Sequence, residues 1–141
     1  MSRKDAREMA MRLLFQKAFT EEIDLERLRD MDESLSIDQK DLEYVHSVLE
    51  GFALHQQEID GIISKYAKGW SLDRIWRVDL AILRLAIYEI LYREDIPASV
   101  SINEGVELAK RYGTEKSSSF VNGILGRFVK DLQSQEKDSG Q

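Results

Sequence analysis

Leu80-Ala81-Ile82-Leu83-Arg84-Leu85-Ala86-Ile87-Tyr88-Glu89-Ile90-Leu91 is the stretch on which the fold turns. At 100° per residue its apolar side chains point in nearly every direction. A helix over about 78–94 must therefore be covered by several neighbours and sit at the centre of an all-helical protein. One line of it (Asp79, Ile82, Ala86, Glu89 and Arg93) carries charge and is the strip expected to face solvent. An isoleucine framed by charges there either docks a partner or marks a rim. Arg84 falls instead among Leu80, Tyr88 and Leu91, where a guanidinium calls for a buried ion pair.

The covers are found on both sides. Upstream, Leu42, Val45, Leu49, Phe52, Ile59, Ile63 and Tyr66 describe a helix over roughly 39–67, with Asp38 as its cap. Gly51 and Gly61 weaken it and mark close packing or a break. Leu25, Leu28, Met31 and Leu35 suggest a short helix over 24–34. Ala6, Met9, Ala10, Leu13, Leu14 and Lys17 form the stripe of a first helix over 3–19. Ser71 is placed to cap a further short helix after a Gly69-Trp70 turn. Downstream, Ile96-Pro97 ends the central helix. Ser101-Ile102-Asn103-Glu104 reads as a capping box, and Gly113 as a left-handed C-terminal cap. Phe120, Val121, Ile124, Leu125, Phe128, Val129 and Leu132 give a last helix over 117–132, and polar residues 134–141 form an expected disordered tail. About seven helices result, in one domain over 1–133 with halves at about 1–68 and 71–133.

Composition narrows the function. The chain has 141 residues, 43% hydrophobic and 33% charged, with one proline and no cysteine, which excludes disulfides and thiolate metal sites. No apolar run approaches the roughly 20 residues that span a bilayer, and the start lacks a signal-peptide pattern, so the cytoplasm is expected. His46 and His55 do not have the spacing of helical neighbours. No HExxH, glycine-rich phosphate loop or GxSxG elbow occurs, so neither catalytic residue, metal nor cofactor is expected. The net charge of −6 is unevenly spread: residues 1–17 carry five bases against two acids, residues 18–51 eleven acids against three bases. The acidic segment sets the sign, and a basic RNA-binding end remains compatible with it.

Two surfaces fit nucleic acid. On the first helix Lys4, Arg7, Met11 and Phe15 share a strip with Arg3 at its edge. Phosphate-neutralising cations beside a stacking ring suit single-stranded RNA. A solvated helix start, with Phe15 packed on a second helix, would give the same pattern. At the start of the last helix, Lys116-Ser117-Ser118-Ser119-Phe120 offers hydroxyls and free amides to phosphate, or simply caps the helix.

The segment Ile102-Asn103-Glu104-Gly105-Val106-Glu107-Leu108-Ala109-Lys110, followed by Phe120-Val121-Asn122-Gly123-Ile124-Leu125, resembles the C-terminal signature of the NusB family of bacterial transcription antitermination factors. Leu83-Arg84-Leu85-Ala86-Ile87-Tyr88-Glu89, Ala6-Arg7-Glu8 and Leu14-Phe15 are similar to it too, in order, over about residues 3–130. The resemblance implies an all-α NusB-like fold of two small helical bundles sharing one core. It also implies a role in rRNA antitermination: binding boxA RNA with ribosomal protein NusE, alongside NusA, NusG and RNA polymerase, with self-association seen in some members. By it, Arg3, Lys4, Arg7, Phe15 and Phe120 match the RNA surface, with Lys116 and Ser117 beside them in a variable stretch. Asp79 matches the acid of the NusE surface, with Ile82 and Glu89 on the same strip. Asp5 interrupts the arginine run of some members, and Phe15 stands where a tyrosine can occur. The alternatives are a helical protein-binding scaffold and the NusB-like module of an RNA methyltransferase. No cofactor fold follows to support the latter.

Overall fold

The computed structural model describes residues 2–17 and 39–139, with side chains through Glu136. The described residues form five α-helices and no strand: α1 (Arg3–Lys17), α2 (Gln39–Tyr66), α3 (Arg77–Tyr92), α4 (Ala98–Tyr112) and α5 (Ser117–Ser139). A 3-10 turn, Leu72–Arg74, joins α2 to α3. The expected count of seven is thus corrected to five among the described residues. The short helix after Ser71 is only this 3-10 turn. The segment 24–34 and the Asp38 cap lie outside the described residues.

Helix α3 is the centre that its composition demands. Each residue from Asp79 to Glu89 is buried, and α1, α2, α4 and α5 all pack against it. Its leucines, isoleucines and alanines meet Leu14, Val48, Phe52, Ile63, Leu108, Ile124 and Leu125 in one continuous core. Arg84 makes the buried ion pair expected of it. Its Nε and Nη2 donate to the two Asp60 carboxylate oxygens, each at 2.9 Å, and its guanidinium lies over the Phe52 ring at 4.8 Å. Such a bidentate pair fixes the register of α2 against α3.

Two glycines act through closeness rather than flexibility. A Cβ at Gly51 would lie 2.1 Å from Tyr88 Cε2, so α2 seats on α3 only where its side chain is missing. Gly61 faces open space, and the break in α2 falls at His55, whose φ of −116° and ψ of 21° are non-helical. Gly113 is extended rather than left-handed. A Cβ there would lie 2.4 Å from Ser117 Cβ, so the α4–α5 corner needs glycine for space. Left-handed backbone occurs instead at Lys68 and Gly69, φ 38° and 87°, where the chain leaves α2.

The capping box expected at Ser101–Glu104 is displaced by a turn. Pro97, with φ already near the helical value and no N–H to satisfy, begins α4 earlier. Ser101 is therefore interior, its N–H bonded to the Pro97 carbonyl. A reciprocal cap is found at the next helix start. There the Ser117 hydroxyl accepts the Thr114 N–H at 2.8 Å, while Thr114 Oγ1 accepts the Lys116 N–H at 3.3 Å. Helix α5 runs on to Ser139, past the apolar periodicity that ends at Leu132, so residues 134–139 continue it.

Candidate nucleic-acid interface

The strip of α3 expected to face solvent is covered. Asp79, Ile82, Ala86 and Glu89 are 6%, 0%, 3% and 1% exposed. Glu89 is the meeting point of four helices. Arg7 Nε of α1 donates to its Oε2 at 2.9 Å, the Tyr44 hydroxyl of α2 donates to the same oxygen, and the Ser101 hydroxyl of α4 donates to Oε1 at 2.8 Å. Burial alone would disfavour the Arg7 charge, but the hydrogen bond and charge of Glu89 outweigh it and hold the guanidinium above its ordinary pKa. Burial, reinforced by Glu89, pushes the Tyr44 hydroxyl far above the usual range. Arg7 is thus corrected from a phosphate cation to an internal partner, 5% exposed. Glu89 and Ile82 are corrected from docking residues to core.

Arg3 and Lys4 stay at the surface end of α1. Arg3 is half-buried with its guanidinium 4.6 Å from the Tyr44 ring centroid. The Lys4 side chain is 68% exposed, its ammonium 3.8 Å from Glu104. Met11 is buried. Phe15 lies about 18 Å along the helix axis from Arg3, at about 1.5 Å per residue. It is half-buried against the core and borders a different part of the surface.

That part is built by the α2–α3 connection. The connection buries Ile75 and presents Trp70 and Trp76, 54% and 58% exposed. It forms two adjoining grooves. One is lined by Phe15, Asp73, Arg74, Ile75, Trp76, Arg77 and Val78. The other is lined by Trp70, Arg74, Ile75, Trp76, Asp79, Lys116 and Phe120. Arg74, Ile75 and Trp76 belong to both, so Trp76 is a shared wall. The structure therefore brings Phe15 of α1 and Phe120 of α5 to the two sides of one aromatic and basic face. Trp70, Arg74, Trp76 and Arg77 were missed by the sequence reading. Their signal is two tryptophans and two arginines within eight residues that carry no helical periodicity of their own.

Asp79 forms part of the second groove. Its Oδ1 has no hydrogen-bond partner. Burial raises its pKa above the ordinary carboxylate value, and a hydrogen bond with Ser117 opposes that rise. Ser117 is itself buried, 1% exposed, and occupied by the Thr114 cap and Asp79. It is corrected from a phosphate ligand to a structural serine. Lys116 is exposed and Phe120 half-buried at the groove.

The described residues contain no group of His, Asp and Glu placed to hold a metal, and no helix among them is long and apolar enough to cross a membrane. The arrangement can supply stacking surfaces and cations, which is the chemistry of single-stranded nucleic-acid binding.

Comparison with known proteins places this geometry among relatives. Residues 4–130 match the model of the NusB family. The chain is 50% identical over 130 residues to the transcription antitermination protein NusB of Acetivibrio thermocellus, covering 92% of this chain and 90% of that protein. It superposes on the NusB structure from T. maritima with a TM-score of 0.83 at 42% identity, over 92% of each chain. It also superposes on a chain from a structure of antitermination factors NusB and NusE in complex with double-stranded RNA. There the TM-score is 0.80 at 30% identity, over 92% of this chain and 96% of that one.

Proposed function

Since the chain belongs to the NusB family, we propose that it is a transcription antitermination factor that binds the boxA element of nascent rRNA together with ribosomal protein NusE. The observation that carries this reading beyond kinship is the face where Phe15, Trp76 and Phe120 stand beside Arg74, Arg77 and Lys116. Aromatic rings accept unpaired bases, and the interleaved cations neutralise the phosphates between them. Arg3 and Lys4, at the far end of α1, extend the positive surface for a longer strand. Assembly with NusA, NusG and RNA polymerase in the cytoplasm belongs to the same reading. Glu89, occupied by α1, α2 and α4, and Ile82, enclosed in the core, are given no part in the NusE contact.

A mobility-shift titration of boxA RNA, with and without purified NusE, tests the proposal. Binding that tightens when NusE is added, exceeds that of a scrambled RNA and weakens as salt rises is the expected result. Equal affinity for boxA and the scrambled RNA would remove the boxA preference, and no binding of either, with or without NusE, would reduce the chain to a protein-binding scaffold.

A further inference from the structure

The residues matched by family resemblance account for only the flanks of the exposed face, Phe15 on one side and Phe120 on the other. Between them Trp76 is shared by two grooves. An indole more than half exposed forfeits burial of its large apolar area, and the two grooves beside it set Arg74, Arg77 and Lys116 among apolar side chains. Arg74 contributes to both grooves and Lys116 to the outer one. Asp79, whose buried Oδ1 has no donor, is one of the residues lining that outer groove. An unsatisfied buried acceptor is costly, and a donor entering the groove is the partner it lacks.

Resting on the RNA-binding reading above, we propose that Trp76 divides this face into two neighbouring base pockets. Successive bases of a single-stranded RNA stack on either side of it. The pocket bounded by Trp70, Trp76 and Phe120 prefers a base whose exocyclic amino group can reach Asp79. Adenine, cytosine and guanine carry such a group; uracil has none, and its single ring N–H is flanked by two carbonyls that face the carboxylate unfavourably. Phosphates on the outer edge meet Arg74 and Lys116. Charge favours this occupant: Arg74, Arg77 and Lys116 outnumber Asp73 and Asp79 along the two grooves, which suits a phosphate backbone carrying bases to the rings.

The chain has two tryptophans, and both stand on this face, so intrinsic fluorescence reads the proposed pockets directly. Twelve-nucleotide single-stranded oligocytidylate and oligouridylate, end-labelled, are titrated into the intact protein at low salt. Tryptophan emission and label anisotropy are followed together. Emission should fall in step with anisotropy, and oligocytidylate should bind about fivefold or more tighter than oligouridylate, as expected for one charge-assisted hydrogen bond. Trp76→Ala should lose about tenfold or more in affinity, Trp76→Phe should recover most of it, and Asp79→Asn should narrow the preference for cytosine. Melting temperatures of the variants separate binding loss from unfolding. Anisotropy that rises while emission stays constant, or W76A binding both RNAs as tightly as the parent, would overturn the pockets and leave RNA binding itself intact. Equal affinity for the two RNAs would overturn the amino-group preference. Failure of any RNA to bind, with NusE present, would remove the underlying reading as well. Loss of NusE binding in W76A with RNA binding unchanged would give the face to a protein.

Discussion

Glu89 and Asp79 are carboxylates on the same helix, both nearly inaccessible to solvent, and they are finished in opposite ways. Glu89 receives hydrogen bonds from an arginine, a tyrosine and a serine on three other helices. Asp79 has Ser117 and an oxygen with no partner. A buried charge with its bonding capacity filled is part of the frame: it specifies how α1, α2 and α4 meet α3. A buried charge left partly unfilled at the edge of a groove is a place where stability has been forgone, and such places mark binding surfaces.

The largest expected effect breaks the completed centre. Glu89→Ala leaves Arg7 buried and unpaired and should cost about 3–5 kcal/mol of unfolding free energy, measured by urea denaturation. Arg7→Ala should cost a comparable amount by stranding Glu89. Replacing both together, Arg7→Met with Glu89→Leu, should recover only part of the loss: no unpaired charge remains, but the buried Tyr44 and Ser101 hydroxyls lose their acceptor. A double variant no more stable than either single one would show that the centre does more than pair its own charges.

An intermediate effect sharpens the other side of the contrast. Arg74→Ala should leave the melting temperature within a degree or two and reduce the slope of log affinity against log salt by roughly 0.7, the contribution of one phosphate contact on a single strand. An unchanged slope would take Arg74 off the phosphate path.

The smallest effect concerns Asp79 alone. Burial raises its pKa in the folded state, so the folded protein holds this proton at a pH where the unfolded chain has released it. The stability this group contributes is therefore present at acid pH and lost as pH rises through the raised value. Asp79→Asn, which cannot ionise, should then stabilise the fold at pH 7 by roughly 1 kcal/mol, because it removes the buried charge while keeping a polar partner for Ser117. The gain should fade as pH approaches 4. Calorimetry at the two pH values checks it, and equal gains at both would mean that ionisation is not the cause.

The same two carboxylates show what a sequence can and cannot disclose here. The central position of α3 follows from an apolar circumference, a local property that any reader of residues 80–91 can compute. The charged line along it looks like a solvent strip because charge usually means exposure. What overturns that reading is Arg7, 82 residues away, and Tyr44, 45 residues away, partners that no periodicity links to Glu89. Trp76 fails in the reverse sense. A tryptophan usually lies largely inward, and this one stands 58% exposed beside the buried Ile75. Phe15 and Phe120 stand out in the sequence, yet nothing in the chain says that they flank one surface.

The notch where Gly51 meets the Tyr88 ring carries a consequence for how this chain can vary. The space that one residue lacks is the space the other fills, so neither position is free to drift alone. A methyl at 51 is tolerated only after the ring at 88 has shrunk, and a smaller residue at 88 leaves a void that a side chain at 51 could fill. The two sites form a single heritable unit, 37 positions apart in the chain, and lineages that keep this seat between α2 and α3 should exchange them as a pair.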